Sequence, residues 1–129
     1  MTHEAHPLAG LKSMAFVDSF DFEQVTLPAA SAVSSMLARA AAVSGRTLRH
    51  RAEVSTFDAA LRVVRSGLGI SVVPQEVAQP LADTFSLRII PLTDAWARRR
   101  FVICFQDERS LSPAAKLLAA HLAESARRT

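Results

Sequence analysis

Cysteine, tyrosine and glycine are scarce in this sequence of 129 residues, which contains one cysteine, no tyrosine and four glycines. The single cysteine, Cys104, excludes an internal disulfide and any zinc site built from paired cysteines. Because it lies in the apolar run FVICF, we interpret it as a small strand residue rather than a nucleophile. No apolar run approaches the ~20 residues of a membrane span, and no signal-peptide pattern opens the chain. These absences predict a soluble, cytoplasmic protein that does not contact the membrane.

Acidic residues are in the minority, and the formal net charge is +3. A basic chain can bind nucleic acid, but its arginines are scattered along the predicted helices and strands. Only Arg98-Arg99-Arg100 forms a run, and neither glycine nor a stacking aromatic accompanies it before the strand that follows. The pattern therefore favours a solvated strand entrance over a nucleic-acid interface.

Catalytic and cofactor motifs are also missing. There is no phosphate loop and no Gly-x-Ser-x-Gly elbow, and the carboxylates are dispersed. Gly67-Leu68-Gly69 follows a helix and precedes a strand, which is the reverse of the dinucleotide-binding order, so these glycines close a helix. His3, Glu4 and His6 are metal-ligand types, but a frayed terminus is the favoured interpretation. We predict no catalytic residue, no cofactor and no metal, and a function based on binding.

Strands and helices alternate through the first half of the chain. EQVTLP, residues 23–28, is a strand, and the helix after it begins at its N-cap Ser31 and ends at Gly45. TLRHRAEVS, residues 47–55, alternates apolar and charged side chains and is a second strand, with His50 on the buried face. The short links predict an α/β fold with a parallel or mixed sheet.

A second helix follows, in which Ser55 and Asp58 form a variant capping box and Gly67 makes the left-handed turn at the end. Its buried stripe consists of apolar residues at helical spacing: Phe57, Ala60, Leu61, Val64 and Leu68. Residues 70–73 are a buried strand, and residues 74–81 a short helix. Two further strands, SLRIIPL and RFVICFQ, precede a last helix that is capped by Ser112.

Both strand-to-helix turns, LPAAS and VSTF, present unsatisfied backbone N–H groups beside a small hydroxyl. If the two strands are parallel neighbours, the turns emerge together at the carboxyl edge of the sheet, where α/β proteins bind ligands. The turns are therefore candidate anion sites. The alternative is that Ser31, Ser55 and Thr56 only cap their own helices.

Four segments resemble the effector-binding domain of LysR-type transcriptional regulators. They are HPLA at residues 6–9, VTLPAASAV, VSTFDAALRVVRSGLGISVVPQEVA and the late LSPAAKLLAAHL. The order and spacing of these segments carry the resemblance over nearly the whole chain. It implies a small-molecule-sensing regulatory domain, with a lobe of periplasmic-binding-protein type II whose mixed sheet is flanked by helices.

The resemblance also implies a division of the chain and a site. Residues 1–15 correspond to a crossover or hinge, 16–90 to the second lobe, and 91–129 to a return crossover with a strand and helix of the first lobe. Most of the first lobe and the helix-turn-helix lie outside this sequence, so DNA binding would depend on that missing motif, and the uncovered surfaces favour self-association as a dimer or higher oligomer. The implied partner is a small anionic effector, contacted by Pro28, Ala29, Ala30, Ser31, Ser55, Thr56 and Phe57.

Two functions of other classes remain open alternatives. A small α/β enzyme would use His50 or His121 as an acid or base, and would place that histidine in a polar cleft beside a carboxylate. A solute-binding protein of the same fold would require an export signal.

Overall fold

The computed structural model describes residues 1–100 and 102–128. The chain divides into two compact units, residues 1–97 and 98–129. The strands are β1 (Thr2–His3), β2 (Glu23–Thr26), β3 (Arg49–Glu53) and β4 (Leu87–Arg88). The α-helices are α1 (Ala32–Val43), α2 (Phe57–Arg65), α3 (Gln75–Ala78) and α4 (Pro113–Arg127). Short 3-10 helices cover Pro7–Gly10, Phe16–Ser19, Gln79–Leu81, Ala95–Ala97 and Glu108–Ser110.

The central strand of the first unit is β2. It pairs in parallel with β3, from Glu23 opposite Arg49 to Thr26 opposite Glu53. On its other side Ile70 adds a parallel bridge, with backbone bonds of 2.8 and 2.9 Å to Val25 and Glu23. A separate pair, β1 with β4, is antiparallel. Strands joined by helices confirm the predicted α/β fold, but the described strands form two separate pairs, one parallel and one antiparallel, rather than a single mixed sheet.

Helix α1 begins and ends where its sequence predicts. Ser31 caps it, because the Ser31 hydroxyl accepts a hydrogen bond of 3.1 Å from the Ser34 N–H. Gly45 follows the helix with a φ of +65°, a conformation that glycine adopts without steric cost. The buried side of α1 packs on Phe16 and Phe20, and consists of Val33, Leu37 and Ala41.

Helix α2 begins one residue later than predicted. Its N-cap is Thr56, whose hydroxyl accepts from the Ala59 N–H at 3.2 Å, and the predicted capping pair of Ser55 with Asp58 does not form. Thr56 has the extended backbone of an N-cap, while the Asp58 carboxylate pairs with Arg62 at 2.8 Å. The prediction was wrong because two adjacent hydroxyl residues both fit a cap and only the backbone decides between them.

The buried stripe of α2 is confirmed for Ala60, Leu61 and Val64, which pack on Val25. Leu68 was predicted to join it but is 46% exposed. The helix ends at Arg65 and Gly67 turns the chain with a φ of +78°, so Leu68 no longer follows the helical period.

Several predicted strands are shorter than their apolar runs. Within the strand predicted at residues 70–73, only Ile70 pairs, through a single bridge. Within the strand predicted at residues 86–92, only β4 and a bridge between Met14 and Leu92 form. Val102 to Phe105 are not in a strand, and Cys104 is exposed; Phe101 lies outside the described residues. A strand needs a pairing neighbour, and the described part of the second unit contains none.

The N-terminus is ordered, so the prediction of a frayed terminus was wrong. Thr2–His3 pairs with β4, and the Met1 ammonium donates to the Ser71 carbonyl at 2.9 Å. His3 and His6 each use Nδ1 to accept a bond from a backbone N–H two residues later, at 3.1 and 3.2 Å. Among the described residues, no group of three metal-ligating side chains is close enough to hold an ion.

The second unit contains α4, which the Ser112 hydroxyl caps as predicted by accepting from the Ala115 N–H at 3.1 Å. Leu117, Leu118 and Leu122 on this helix are exposed. Over the described residues, none of the helices combines the length and the apolar character that crossing a membrane requires. The predicted divisions at residues 15 and 90 stay predictions.

Candidate functional site

The two turns predicted to bind a ligand leave the sheet side by side. They are the first turn, Pro28–Ser31, after β2, and the second turn, Ser55–Phe57, after β3. The ends of the two strands, Thr26 and Glu53, lie opposite each other, and the Val54 N–H donates to the Thr26 carbonyl at 2.9 Å. The parallel register therefore brings the N-termini of α1 and α2 to one edge of the sheet.

Hydrogen bonds from the start of α1 hold the first turn in one conformation. The Ser31 N–H donates to the Pro28 carbonyl at 2.8 Å. The Ser34 hydroxyl donates to the Leu27 carbonyl at 2.7 Å, and the Ser35 hydroxyl to the Ala29 carbonyl at 3.1 Å. Ala29 and Ala30 are exposed between these bonds. The turn thus needs no rearrangement to present its backbone to a ligand.

Both helix N-termini have backbone N–H donors without a hydrogen-bond acceptor among the described residues. The first N–H groups of a helix have no partner inside it. Within residues 1–100 and 102–128, no acceptor contacts the N–H groups of Ala32 and Val33 in α1, or of Phe57 and Asp58 in α2. The cap hydroxyls accept a backbone bond through oxygen and keep their own proton for a further acceptor. The edge therefore offers backbone and hydroxyl donors together.

The side chains of the second turn divide into exposed hydroxyls and a packed ring. Ser55 and Thr56 are exposed. Phe57 is half-buried and packs against the cluster that contains Val33 and Leu37. The predicted contact through the Phe57 ring is therefore disfavoured, and the contact through its backbone N–H is favoured.

Charged side chains beside the turns are acidic. Glu53 ends β3, and Asp58 lies in the first turn of α2, where it forms an ion pair with Arg62. Both turns lack lysine and arginine. The turns can therefore attract an anion through backbone dipoles and hydrogen bonds alone, and a second negative charge on the ligand would be repelled by Glu53, since Arg62 offsets the charge of Asp58.

His50 lies on the exposed surface, which contradicts the predicted buried position. It pairs through Nδ1 with the Thr26 hydroxyl at 3.1 Å. It is exposed like its neighbours on β3, where a register shift in the pairing with β2 interrupts the two-residue alternation. His121 on α4 is also exposed, and neither histidine contacts a carboxylate in the part of the chain that the structure describes. Neither His50 nor His121 therefore has the neighbouring carboxylate that the acid–base arrangement of an enzyme would require.

Sequence reasoning missed two features of this site. Thr26 and His50 form a hydrogen bond across the strands, and pairing partners cannot be read from one strand alone. Ser34 and Ser35 anchor the first turn, and hydroxyls three and four residues after a cap are a usable signal for such bonds.

One family model matches nearly the whole chain. The family model described as "LysR substrate binding domain" matches residues 1–127. A curated relative, the RuBisCO operon transcriptional regulator of Allochromatium vinosum, is 28% identical over 110 residues, which are 85% of this chain and 36% of the relative. The chain therefore spans about a third of that relative's length.

A solved structure has the same fold. It is the effector-binding domain of QuiR in complex with shikimate, with a TM-score of 0.63 and 19% sequence identity. The match covers 72% of this chain and 43% of that one.

Proposed function

This chain belongs to the family of LysR substrate-binding domains, and on that basis we propose that it senses a small anionic effector at the first and second turns. The observation that carries the proposal is the pair of adjacent helix N-termini. Each has backbone N–H groups that donate no hydrogen bond to any described residue. Positive ends of helix dipoles and free N–H groups at one edge favour an anion.

The donor character of the edge narrows the ligand class. Backbone N–H groups and cap hydroxyl protons need acceptor atoms, and a carboxylate offers two acceptor oxygens. Because the Glu53 carboxylate lies beside the second turn, a singly charged carboxylate fits better than a dianion. Two helix N-termini and one or two hydroxyl bonds contribute about 3–6 kcal/mol, which corresponds to a dissociation constant from several millimolar to about tens of micromolar.

We assign separate roles within the two turns. Ser31 and Thr56 donate their hydroxyl protons to the ligand, and Ser55 is an exposed hydroxyl available to a larger effector. Pro28, Ala29 and Ala30 shape the first turn, in which the Pro28 carbonyl accepts from the Ser31 N–H and the Ala29 carbonyl from the Ser35 hydroxyl. Phe57 contributes its backbone N–H.

Thr56→Ala is expected to weaken carboxylate binding about tenfold, or ~1.4 kcal/mol, and to lower the free energy of unfolding by about 1 kcal/mol. Thr56→Ser keeps the hydroxyl and is the matched control, so it should retain both properties. Calorimetric titration with a panel of small carboxylates, beside thermal melts, measures the two effects. The panel includes shikimate, which the structural neighbour binds.

Capping alone predicts a different outcome for the same pair of variants. In that case Thr56→Ala would lower the melting temperature and leave the affinity for every carboxylate unchanged. This result would remove Thr56 from the proposed site and leave the first turn as its only polar part.

The proposal extends to the wider protein. We propose that the domain acts in the cytoplasm by binding rather than by catalysis, and that any DNA contact belongs to a helix-turn-helix outside this sequence. We keep the division into residues 1–15, 16–90 and 91–129 as part of the proposal. The exposed leucines of α4 support self-association, because such apolar surface is buried in oligomers.

A further inference from the structure

An apolar groove runs along a side face of α1 at the border of the buried cluster, against which Met36, Ala40 and Trp96 pack. Its volume is about 460 Å³, within the range of roughly 300–1,000 Å³ that is usual for small-molecule sites. Val43, at the end of the helix, is 91% exposed and has the most exposed apolar side chain of the described residues. The α1 groove is lined by Ala32, Ser35, Met36, Arg39, Ala40, Val43 and Trp96.

The Trp96 wall of the α1 groove is held in place from behind. The Trp96 ring meets the buried Phe16 ring edge to face, with centroids 5.2 Å apart. The Asp94 carboxylate accepts from the Phe16 N–H at 2.7 Å, and the Asp94 carbonyl accepts from the Ala97 N–H at 3.0 Å. These contacts connect both sides of Trp96 to the core, so the ring is preorganised as a flat apolar surface.

Arg39 is the one charged side chain in the lining of the α1 groove. Among residues 1–100 and 102–128, no carboxylate lies within ion-pair distance of it. Arg46, just beyond α1, does pair with Asp21 at 3.0 Å. An unpaired guanidinium on the rim of an apolar surface has the chemistry to pair with a carboxylate whose remainder is apolar.

We propose that the α1 groove binds a small monocarboxylate with an apolar body, which pairs with Arg39 and lies against Trp96 and Met36. A second copy of α1 is a poorer occupant, because a two-fold contact would bring two Arg39 side chains together and α1 contains no acidic residue. Ala32 borders both the groove and the first turn, but the pairing proposed here uses Arg39, Trp96 and Met36 and none of the N-terminal N–H groups, so the proposal does not depend on ligand binding at the two turns.

Trp96 is the only tryptophan in the chain and reports directly on the groove. Phenylbutyrate should change its fluorescence saturably, and the uncharged phenylbutanol should bind at least about tenfold more weakly, a difference of ~1.4 kcal/mol. Arg39→Gln should lower the affinity for phenylbutyrate by about the same factor of ten and change the affinity for phenylbutanol little. Raising the salt concentration should weaken the binding of phenylbutyrate but not that of phenylbutanol, because salt screens the exposed ion pair with Arg39.

Two control variants separate this site from others. Arg88→Gln removes an exposed arginine on β4 and should leave the titration unchanged. Thr56→Ala should also leave it unchanged, because it alters only the second turn. Loss of the response in Thr56→Ala would locate the ligand at the turns, and equal affinity in Arg39→Gln would remove the charge pairing; either result would overturn the proposal.

The alternative occupant gives a distinct signature. If a second copy fills the groove, Trp96 fluorescence will change with protein concentration in the absence of phenylbutyrate, and sedimentation will show a dimer over the same range. That result, or no fluorescence change with phenylbutyrate at any concentration in its soluble range, would contradict the small-molecule site.

Discussion

Gly69→Ala is expected to destabilise the first unit by about 3–5 kcal/mol, the largest effect of any single substitution considered for this chain. A Cβ at this position would lie 2.7 Å from the Glu23 carbonyl oxygen, and Gly69 has a φ of +153°. The contact atom belongs to the backbone of the central strand β2, which cannot rotate away as a flexible side chain can. Urea denaturation followed by circular dichroism measures the change.

Two other glycines are matched controls for that substitution. Gly67 has a φ of +78° but open space around its Cβ position, so Gly67→Ala should cost about 1 kcal/mol. Gly10 has neither constraint, and Gly10→Ala should stay within about 0.5 kcal/mol of the parent. If Gly69→Ala and Gly67→Ala cost the same, the close approach to Glu23 is not what makes glycine necessary at position 69.

A polypeptide that begins at Met1 is expected to lose stability as the pH falls from about 8 to about 6. Burial lowers the pKa of the Met1 ammonium from 8.0 to about 6. Between these values the unfolded chain binds a proton that the folded chain does not, so the free energy of unfolding decreases by up to about 2–3 kcal/mol. The pKa of His6 is also lowered, mainly by burial and secondly by the positive charge of the N-terminus, so His6 too makes the fold less stable as the pH falls.

Acetylation of the N-terminus isolates this contribution. The acetylated chain has no ammonium to titrate, so its stability should vary less between pH 8 and pH 6 than that of the free chain. Chemical denaturation of both forms across this range measures the difference. Identical slopes would show that the Met1 amine does not titrate with a lowered pKa.

Local patterns predicted the elements that position the site. The cap at Ser31, the glycine after α1 and the buried face of α2 at Ala60, Leu61 and Val64 are signals within a few residues, and the structure confirms them. The short links between strands and helices predicted the α/β fold. The match to the LysR substrate-binding family confirms the resemblance carried by the motif order.

Features that depend on tertiary pairing were not predictable in this way. The strand expected at RFVICFQ has the right composition, but strand formation depends on a neighbour and not on composition alone. His50 follows the apolar alternation of β3 in the sequence, yet the β2–β3 pairing contains a register shift that interrupts this alternation, and His50 is exposed. Gly67 and Gly69 are equivalent in the sequence, and only the position of Glu23 distinguishes them.

The candidate site was predictable to the level of its two turns. Two strands that each lead into a hydroxyl-capped helix predicted the two turns, and their place at one edge depended on parallel pairing, which the structure shows for β2 and β3. The choice of Thr56 over Ser55 as the cap, and the packing of the Phe57 ring into the core, required three-dimensional positions. Local spacing cannot supply either, because both depend on how the two helices pack together.

The central claim is that the two turns act as one anion site. Backbone amide NMR during titration with a singly charged carboxylate tests it most directly. The account predicts that the amides of Ala32, Val33, Phe57 and Asp58 shift together, with one dissociation constant between several millimolar and about tens of micromolar. Shifts confined to one turn, different constants for the two turns, or no shift at either would contradict it.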